Sequence, residues 1–310
     1  MIKIKEILFL KNLKGVGKAA IYGKYWDMLK NADDFYDLVS EVELSSKFSV
    51  DEIKMAMAKT ENAYDELFNS DIDVITIFDE NYPEKLEVMG NKRPPILYIK
   101  GNVNALTKPN IAVIGTRKPS EQSQEFENDL VKNIVNSSNR VVVSGLALGC
   151  DKIAHQTTVD EKETTIAVLP SGVNVIKPAK HKQLAQDIID TGGCLVSEYD
   201  PNATVYKSTY VERDKIVAAF SDALFVVECG IKSGTMHTVN FANEFNKMIF
   251  TYLPDDTSKG SYDGNNFILN NNKNAIKVEN IKDFLKDLGG LNNKRQSNKS
   301  SETVQSTFDF

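Results

Sequence analysis
The stretch VVVSGLALGCDKIAHQT, Val141–Thr157, decides how this chain is read. An apolar run stops at Ser144 and Gly145, and a segment of helical character carrying Asp151, Lys152 and His155 follows. A near-continuous apolar strand that ends in a small-residue corner and restarts as a helix is the repeating unit of a parallel sheet covered on both faces. The same alternation extends in both directions. Upstream lie NIAVIGT and a helix with Phe126, Leu130 and Ile134 on one face. Downstream come TTIAVLPSG, a helix near 180–191, CLVSEY, a helix from Val211, DALFVVEC, a helix after Gly234, and KMIFTYL. The pattern over 107–280 predicts an α/β, doubly wound, mostly parallel sheet.

Outside that block the periodicity changes. Residues 1–68 place apolar side chains at helical spacing, as in Ile7, Leu10 and Leu13 and again in Phe35, Leu38 and Val39, which predicts a small all-helical domain. From about 71, short β-rich runs such as Ile96–Ile99, bounded by Pro and Gly, lead into the sheet. The end of the chain, GGLNNKRQSNKSSETVQS and beyond, is too polar to bury itself. The expected organisation is a helical domain at 1–68, a sheet domain at 69–285 and a flexible tail at 286–310.

With 310 residues, 41% hydrophobic and 26% charged, the chain has the composition of a globular protein with a sizeable core. It contains no apolar run long enough to span a membrane and no signal-peptide pattern, so a cytoplasmic location without membrane attachment is expected. Cys150, Cys194 and Cys229 are far apart and odd in number, which suits buried thiols and not a disulfide framework or a zinc site. A net charge of -6 excludes a uniformly basic surface but leaves room for a local basic patch.

In doubly wound sheets ligands bind beyond the carboxyl ends of the strands. Three corners rich in small and hydroxyl residues belong to that edge: Gly115–Ser120, Ser144–Gly149 and Lys232–Thr238. Small residues admit a ligand close to the backbone, helix starts attract phosphate, and Arg117 supplies a planar fork of donors. The candidate phosphate-binding residues are Gly115, Thr116, Arg117, Ser144, Gly145, Arg213, Lys215, Ser233, Gly234 and Thr235. The dinucleotide fingerprint GxGxxG is absent after the first strand, and no cofactor is expected. Asp151 and His155 share a helix face, but no nucleophile stands at a strained elbow beside them. Asp151 is therefore expected to order the loop from the first helical turn, and no catalytic residue is assigned. His181 and His237 are expected to be packing or surface residues, and no metal site is expected.

These motifs, with DENYPEKLEVMGNKRPPILYIKGN before them and GGCLVSEYDP and VERDKIVAAFSDALFVVECGIKSGTMHTVNFANE after them, resemble in order and spacing the core of the DNA-processing DprA/Smf family over residues 71–254. The resemblance implies an extended Rossmann-like fold preceded by a small SAM-like helical domain. It also implies a homodimer that binds single-stranded DNA and loads a RecA-type recombinase during natural transformation or recombination. Gly115, Arg117, Ser144, Gly145, Asp151, His155, Arg213, Ser233 and Gly234 match family positions. Asp214 stands where the family usually has asparagine, and Lys177 where an aromatic is common. A carboxylate at 214 opposes a bound phosphate unless Arg213 and Lys215 neutralise it.

Two further elements carry expectations. LKGVGKAAI, Leu13–Ile21, resembles a helix-hairpin-helix turn in which Gly15, Gly17 and Lys18 would hold a DNA phosphate, with an ordinary interhelical turn as the alternative. The terminal QSTFDF resembles peptides that dock on the bacterial sliding clamp through Gln305, Phe308 and Phe310, with an unconstrained terminus as the alternative. The competing functional class is a nucleotide-binding sensor or nucleotide-processing enzyme of a mobile-element or defence system. The fold is similar to that of phosphoribohydrolases carrying PGGxGTxxE. Here IKSGTMHT lacks the Pro-Gly-Gly run and has Thr238 in place of the catalytic glutamate, which disfavours hydrolysis.

Overall fold
The computed structural model describes residues 3–45 and 48–290. Helices α1 (Ile4–Asn12), α2 (Lys18–Tyr22), α3 (Trp26–Asn31), α4 (Phe35–Ser45) and α5 (Val50–Phe68) make up the N-terminal part. The longest, α5, begins in a capping box: the Ser49 side chain accepts from the Glu52 N–H, and the Glu52 carboxylate accepts from the Ser49 N–H.

The rest of the described residues form one nine-stranded sheet flanked by helices. In chain order its elements are β1 (Ile72–Thr76), β2 (Ile96–Gly101), β3 (Asn110–Ile114), α6 (Glu121–Ser137), β4 (Val141–Ser144), α7 (Cys150–Asp160), β5 (Thr165–Val168) and α8 (Lys182–Asp190). β6 (Cys194–Ser197), α9 (Lys207–Phe220), β7 (Ala223–Val226), α10 (Thr235–Glu244), β8 (Met248–Tyr252), α11 (Asp263–Asn271) and β9 (Ala275–Val278) follow. The spatial order is β1-β2-β6-β5-β4-β3-β7-β8-β9. β3 to β9 pair in parallel, while β2 is antiparallel to both β1 and β6. The sheet is therefore the expected doubly wound one, extended at one margin by the β-rich runs that precede it.

Strand alternation sorts the core. In β3, Ala112 and Ile114 pack on the face covered by Ile216 and Val217 of α9 and Val239 of α10. Ile111 and Val113 pack on the other face, under Leu130 and Ile134 of α6 and Ala154 of α7. In β2, Leu97 and Ile99 join the first face, while Ile96 and Tyr98 form one apolar cluster with Ile7, Leu10, Leu38 and Leu195. The N-terminal helices thus close the sheet near β2 and share its core. At the far end, residues 281–290 are helical, and Phe284 and Leu288 are buried against β7 and β8, so the chain stays packed past the boundary expected at 285. Cys150, Cys194 and Cys229 are free and buried. No helix among the described residues is long and apolar enough to cross a membrane.

Candidate nucleic-acid interface
β3 has β4 on one side and β7 on the other, and the winding direction reverses there. Such a switch point leaves a crevice beyond the strand ends, because the following helices depart to opposite faces. Here it is an open cleft of about 690 Å³. Gly115, Thr116 and Arg117 line it after β3, Gly145 and Ala147 after β4, Lys207, Tyr210, Arg213 and Asp214 on α9, and Ser233, Gly234, Thr235 and His237 at the start of α10. The three corners read from the sequence converge in this one place.

They are stitched together where side chains are missing. A Cβ on Gly115 would overlap the Cys150 Sγ, and a Cβ on Gly145 would overlap the Arg213 guanidinium. Across the gaps thus left open, the Thr116 N–H donates to the Glu228 carbonyl at 2.7 Å and the Cys150 N–H to the Thr116 carbonyl at 3.1 Å. The Thr235 hydroxyl donates to the Gly115 carbonyl at 3.0 Å. Ser120 closes the β3 corner by donating its N–H and its hydroxyl to the Glu228 carboxylate at 2.9 and 2.8 Å. Burial pushes the Glu228 pKa up, but these bonds and one from the Ser261 N–H hold it below its ordinary value. The buried carboxylate is a structural tie.

The second corner is occupied from within. The Asp151 carboxylate accepts from the Gly145 N–H at 3.1 Å and the Ala147 N–H at 3.2 Å, the loop-ordering role expected for it. Burial raises the Asp151 pKa, opposed by the charge of Arg213 and by these two N–H groups. The Ser144 hydroxyl is buried and donates to the Val113 carbonyl at 2.8 Å. His155 takes no part: its Nδ1 lies 2.8 Å from the Thr165 hydroxyl, inside the fold. His181 is buried with Nδ1 2.9 Å from the Leu146 carbonyl, whereas His237 is exposed at the cleft. Among the described residues no group of His, Cys, Asp or Glu is arranged to hold a metal.

Arg213 and Lys215 depart from the expectation of two phosphate-facing cations. Arg213 is 5% exposed. Its Nη1 donates to the Gly145 carbonyl and, at 3.0 Å, to the Val168 carbonyl, and its Nε donates to Asp214 Oδ1 at 2.9 Å. The guanidinium therefore braces the ends of β4 and β5, and it neutralises Asp214 without help from Lys215. Burial still raises the Asp214 pKa above its ordinary value. Lys215, two residues further along the helix, points to the opposite side, as a 100° step per residue requires. Its Nζ lies 4.9 Å from the centre of the Phe241 ring and 3.9 Å from Glu212. Lys207 and Tyr210, absent from the sequence reading, share the cleft-facing side of α9. The exposed Arg117 guanidinium sits 5.9 Å from the Tyr210 ring centre. α9 begins at Lys207, four residues before the start expected at Val211, and the early turn carries both side chains.

The third corner offers helix ends. α10 starts with Gly234 as N-cap and no side-chain cap; the Met236 and His237 N–H groups donate back to the Ser233 and Gly234 carbonyls at 3.2 and 3.0 Å, so the first turn meets the cleft chiefly with the positive end of the helix dipole. The Ser233 hydroxyl is buried beside it without a hydrogen-bond partner. In the helical domain, Gly15 at φ +81° makes the expected turn, but Lys18 does not face outward. It reaches Glu198 at 2.7 Å and Glu212 at 3.3 Å, which corrects its assignment as a DNA contact. Gln305, Phe308 and Phe310 lie outside the described residues.

Residues 73–289 match the family model of DNA recombination-mediator protein A, which is most of the chain. The chain belongs to this family. It is 31% identical over 221 residues to Protein Smf of Synechocystis sp., a match covering 70% of this chain and 54% of that protein. The crystal structure of DNA processing protein A from Streptococcus pneumoniae superposes with a TM-score of 0.75 at 26% identity, covering 92% of this chain and 98% of that one. DNA processing protein A from Helicobacter pylori, whose structure is described as giving insight into a single-stranded DNA binding mode, matches with a TM-score of 0.63 at 28% identity, covering 71% and 96%. The chain spans about half to two thirds of the length of the curated relatives, 54% of the Synechocystis protein and 65% of the pneumococcal one. The mostly parallel sheet and the helical region before it are those of the DprA fold.

Proposed function
We propose that the switch-point cleft binds the sugar-phosphate backbone of single-stranded DNA, and that the protein, as a cytoplasmic homodimer, presents the strand to a RecA-type recombinase in DNA uptake or recombination. The observation that carries this reading is the convergence of the exposed Arg117, Lys207 and the uncapped start of α10 on one open cleft, in a chain whose net charge is -6. Backbone N–H groups and a guanidinium recognise phosphate irrespective of sequence, and Tyr210 adds an aromatic face of the kind on which bases stack. The Helicobacter pylori relative supports the choice of ligand.

Titration of fluorescent oligo-dT across a salt series tests it, with nucleoside monophosphates as competitors. Expected is saturable binding whose log-log salt slope is about -0.7 per phosphate neutralised, with little competition from monophosphates. Salt-independent binding, or full displacement by a monophosphate, points instead to a nucleotide site. Hydrolysis of nucleotides is not expected, since Thr238 is buried where the related hydrolases carry their glutamate. Light scattering tests the dimer, and ATP-dependent filament formation on protein-coated DNA tests recombinase loading.

A further inference from the structure
The turn Leu13–Gly17 delivers Lys18, the first residue of α2, across the seam to the sheet domain. There Lys18 meets two carboxylates. Glu198 Oε2, at 2.7 Å, belongs to a side chain only 7% exposed just beyond the end of β6, on the same strand-end edge as the cleft. Glu212 Oε2, at 3.3 Å, belongs to α9, the helix that carries Lys207, Tyr210 and Arg213. Glu198 Oε1 is buried without a hydrogen-bond partner, the Tyr199 hydroxyl adjoins the carboxylate, and the cation that meets it is Lys18. Glu212 has a second cation in Lys215, at 3.9 Å.

We propose that Lys18 is a positioning residue for the cleft: by bridging Glu198 and Glu212 it clamps α9 to the sheet edge from the helical domain and so sets the spacing between Lys207 and Arg117. This rests on the single-stranded DNA reading for its consequence but not for its geometry. Without the ammonium, a buried carboxylate loses its counter-charge and repels Glu212, and the available relief is movement of α9 away from the strand end. The cleft wall moves with it, because Lys207 and Tyr210 lie within two turns of Glu212 on the same helix.

Two signs separate positioning from direct contact. If Lys18 positions α9, Lys18→Met weakens oligo-dT binding about 3- to 10-fold, in the lower part of the range of coupling within one charge network, and leaves the salt slope unchanged. Glu198→Gln, which keeps volume and removes only charge, weakens binding as well, and Lys18→Arg restores it to within about 2-fold. If Lys18 itself touched phosphate, Lys18→Met would make the slope shallower by about 0.7, and Glu198→Gln, by releasing the lysine, would tighten binding. Either result overturns the proposal. Amide hydrogen exchange in the DNA-free protein supplies a readout that needs no ligand: faster exchange across α9 in Glu198→Gln or Lys18→Met is expected, and unchanged exchange in both overturns the clamp. Should the wild-type protein not bind oligo-dT at all, the functional reading fails and the exchange experiment alone decides the inference. Where Lys18→Met does not yield folded protein, Glu198→Gln carries both readouts.

Discussion

Arg117 and Arg213 share a side-chain type and a cleft, yet their surroundings give them different work. Arg117 is exposed and adjoins Tyr210, so Arg117→Ala should weaken oligo-dT binding and make the salt slope shallower by about 0.7, the share of one phosphate, with the melting temperature unchanged. Arg213 is buried and bonded to two carbonyls and a carboxylate. Arg213→Ala should therefore cost about 3 kcal/mol of stability in a denaturant titration, because Asp214 and the Gly145 and Val168 carbonyls lose a partner that is itself buried. A stable Arg213→Ala protein with a shallower salt slope would return Arg213 to the phosphate-binding set. His155 gives a pH test. The Thr165 hydroxyl donates to the Val142 carbonyl, so His155 Nδ1–H is the donor in its bond to Thr165, and Nε2 is left bare and buried. Burial, and then the neighbouring His181 and Arg213, push the His155 pKa down to about 3. The unfolded chain takes up this proton at about 6.5, so between there and about 3 it binds more protons than the folded one. The contribution is complete above about pH 6.5 and is lost as pH falls through that window. Asp151, whose pKa is raised, acts in the opposite sense. Thermal melts of His155→Gln beside wild type should show a flatter decline in melting temperature between about pH 6.5 and 4, and parallel declines would place the acid sensitivity elsewhere.

Among the elements, the strands that make the parallel sheet were legible because their apolar runs are nearly unbroken, as burial on both faces requires. β9, the last parallel strand, is the exception: Lys277 interrupts it and only Val278 is fully buried, so it lacks a strand's usual signature. α11, which precedes it, is held by the buried Ile268, by the Gly264 N–H donating to the Cys229 carbonyl, and by one buried amide side chain. The Asn265 side chain accepts from the Cys229 N–H at 2.7 Å, and its Nδ2, with two hydrogens to give, lies 2.8 to 3.0 Å from the Val227 carbonyl, the Thr251 hydroxyl and the Tyr252 carbonyl. It joins α11 to the ends of β7 and β8, beside the loop that leads to α10. Asn265→Ala is expected to destabilise by about 2 to 3 kcal/mol, since several buried backbone groups lose their partner together, and chemical denaturation measures it. A loss below about 0.5 kcal/mol would show that water replaces the amide. The misplaced start of α9 has a similar origin. The N-cap of α9 is Tyr206, not a usual capping type, while Ser208 and Thr209, which are, lie inside its first turn, so local chemistry places the start later, where the apolar face begins.

At the scale of the whole molecule the helical part and the sheet domain share a core. Ile7, Leu10 and Leu38 belong to the same apolar cluster as Ile72, Ile96, Tyr98 and Leu195. The seam is also polar at its edge: the Tyr98 hydroxyl donates to Asp200 Oδ1 at 2.8 Å, and Lys11 reaches the same oxygen at 2.7 Å. Burial works against ionisation of Asp200, but Lys11 and Tyr98 hold its pKa below the ordinary carboxylate value. Two lobes that bury their apolar faces on each other should unfold together, so calorimetry is expected to show a single transition with matching calorimetric and van't Hoff enthalpies. Two resolved transitions would show that the seam contributes little.

The sequence by itself determined the doubly wound sheet, the helical region before it and the three small-residue corners, because these follow from local periodicity and, at the first two corners, from glycines that nothing larger can replace. Gly145 is an example: the arginine that forbids a Cβ there lies far away in the chain, but the small residue marks the corner without it. The tertiary structure alone decided which charges face the cleft. Arg213 turned inward, Lys215 turned away and Lys18 was drawn across the seam to Glu198, since the direction of a cation depends on carboxylates and carbonyls brought near by folding, which no local pattern records.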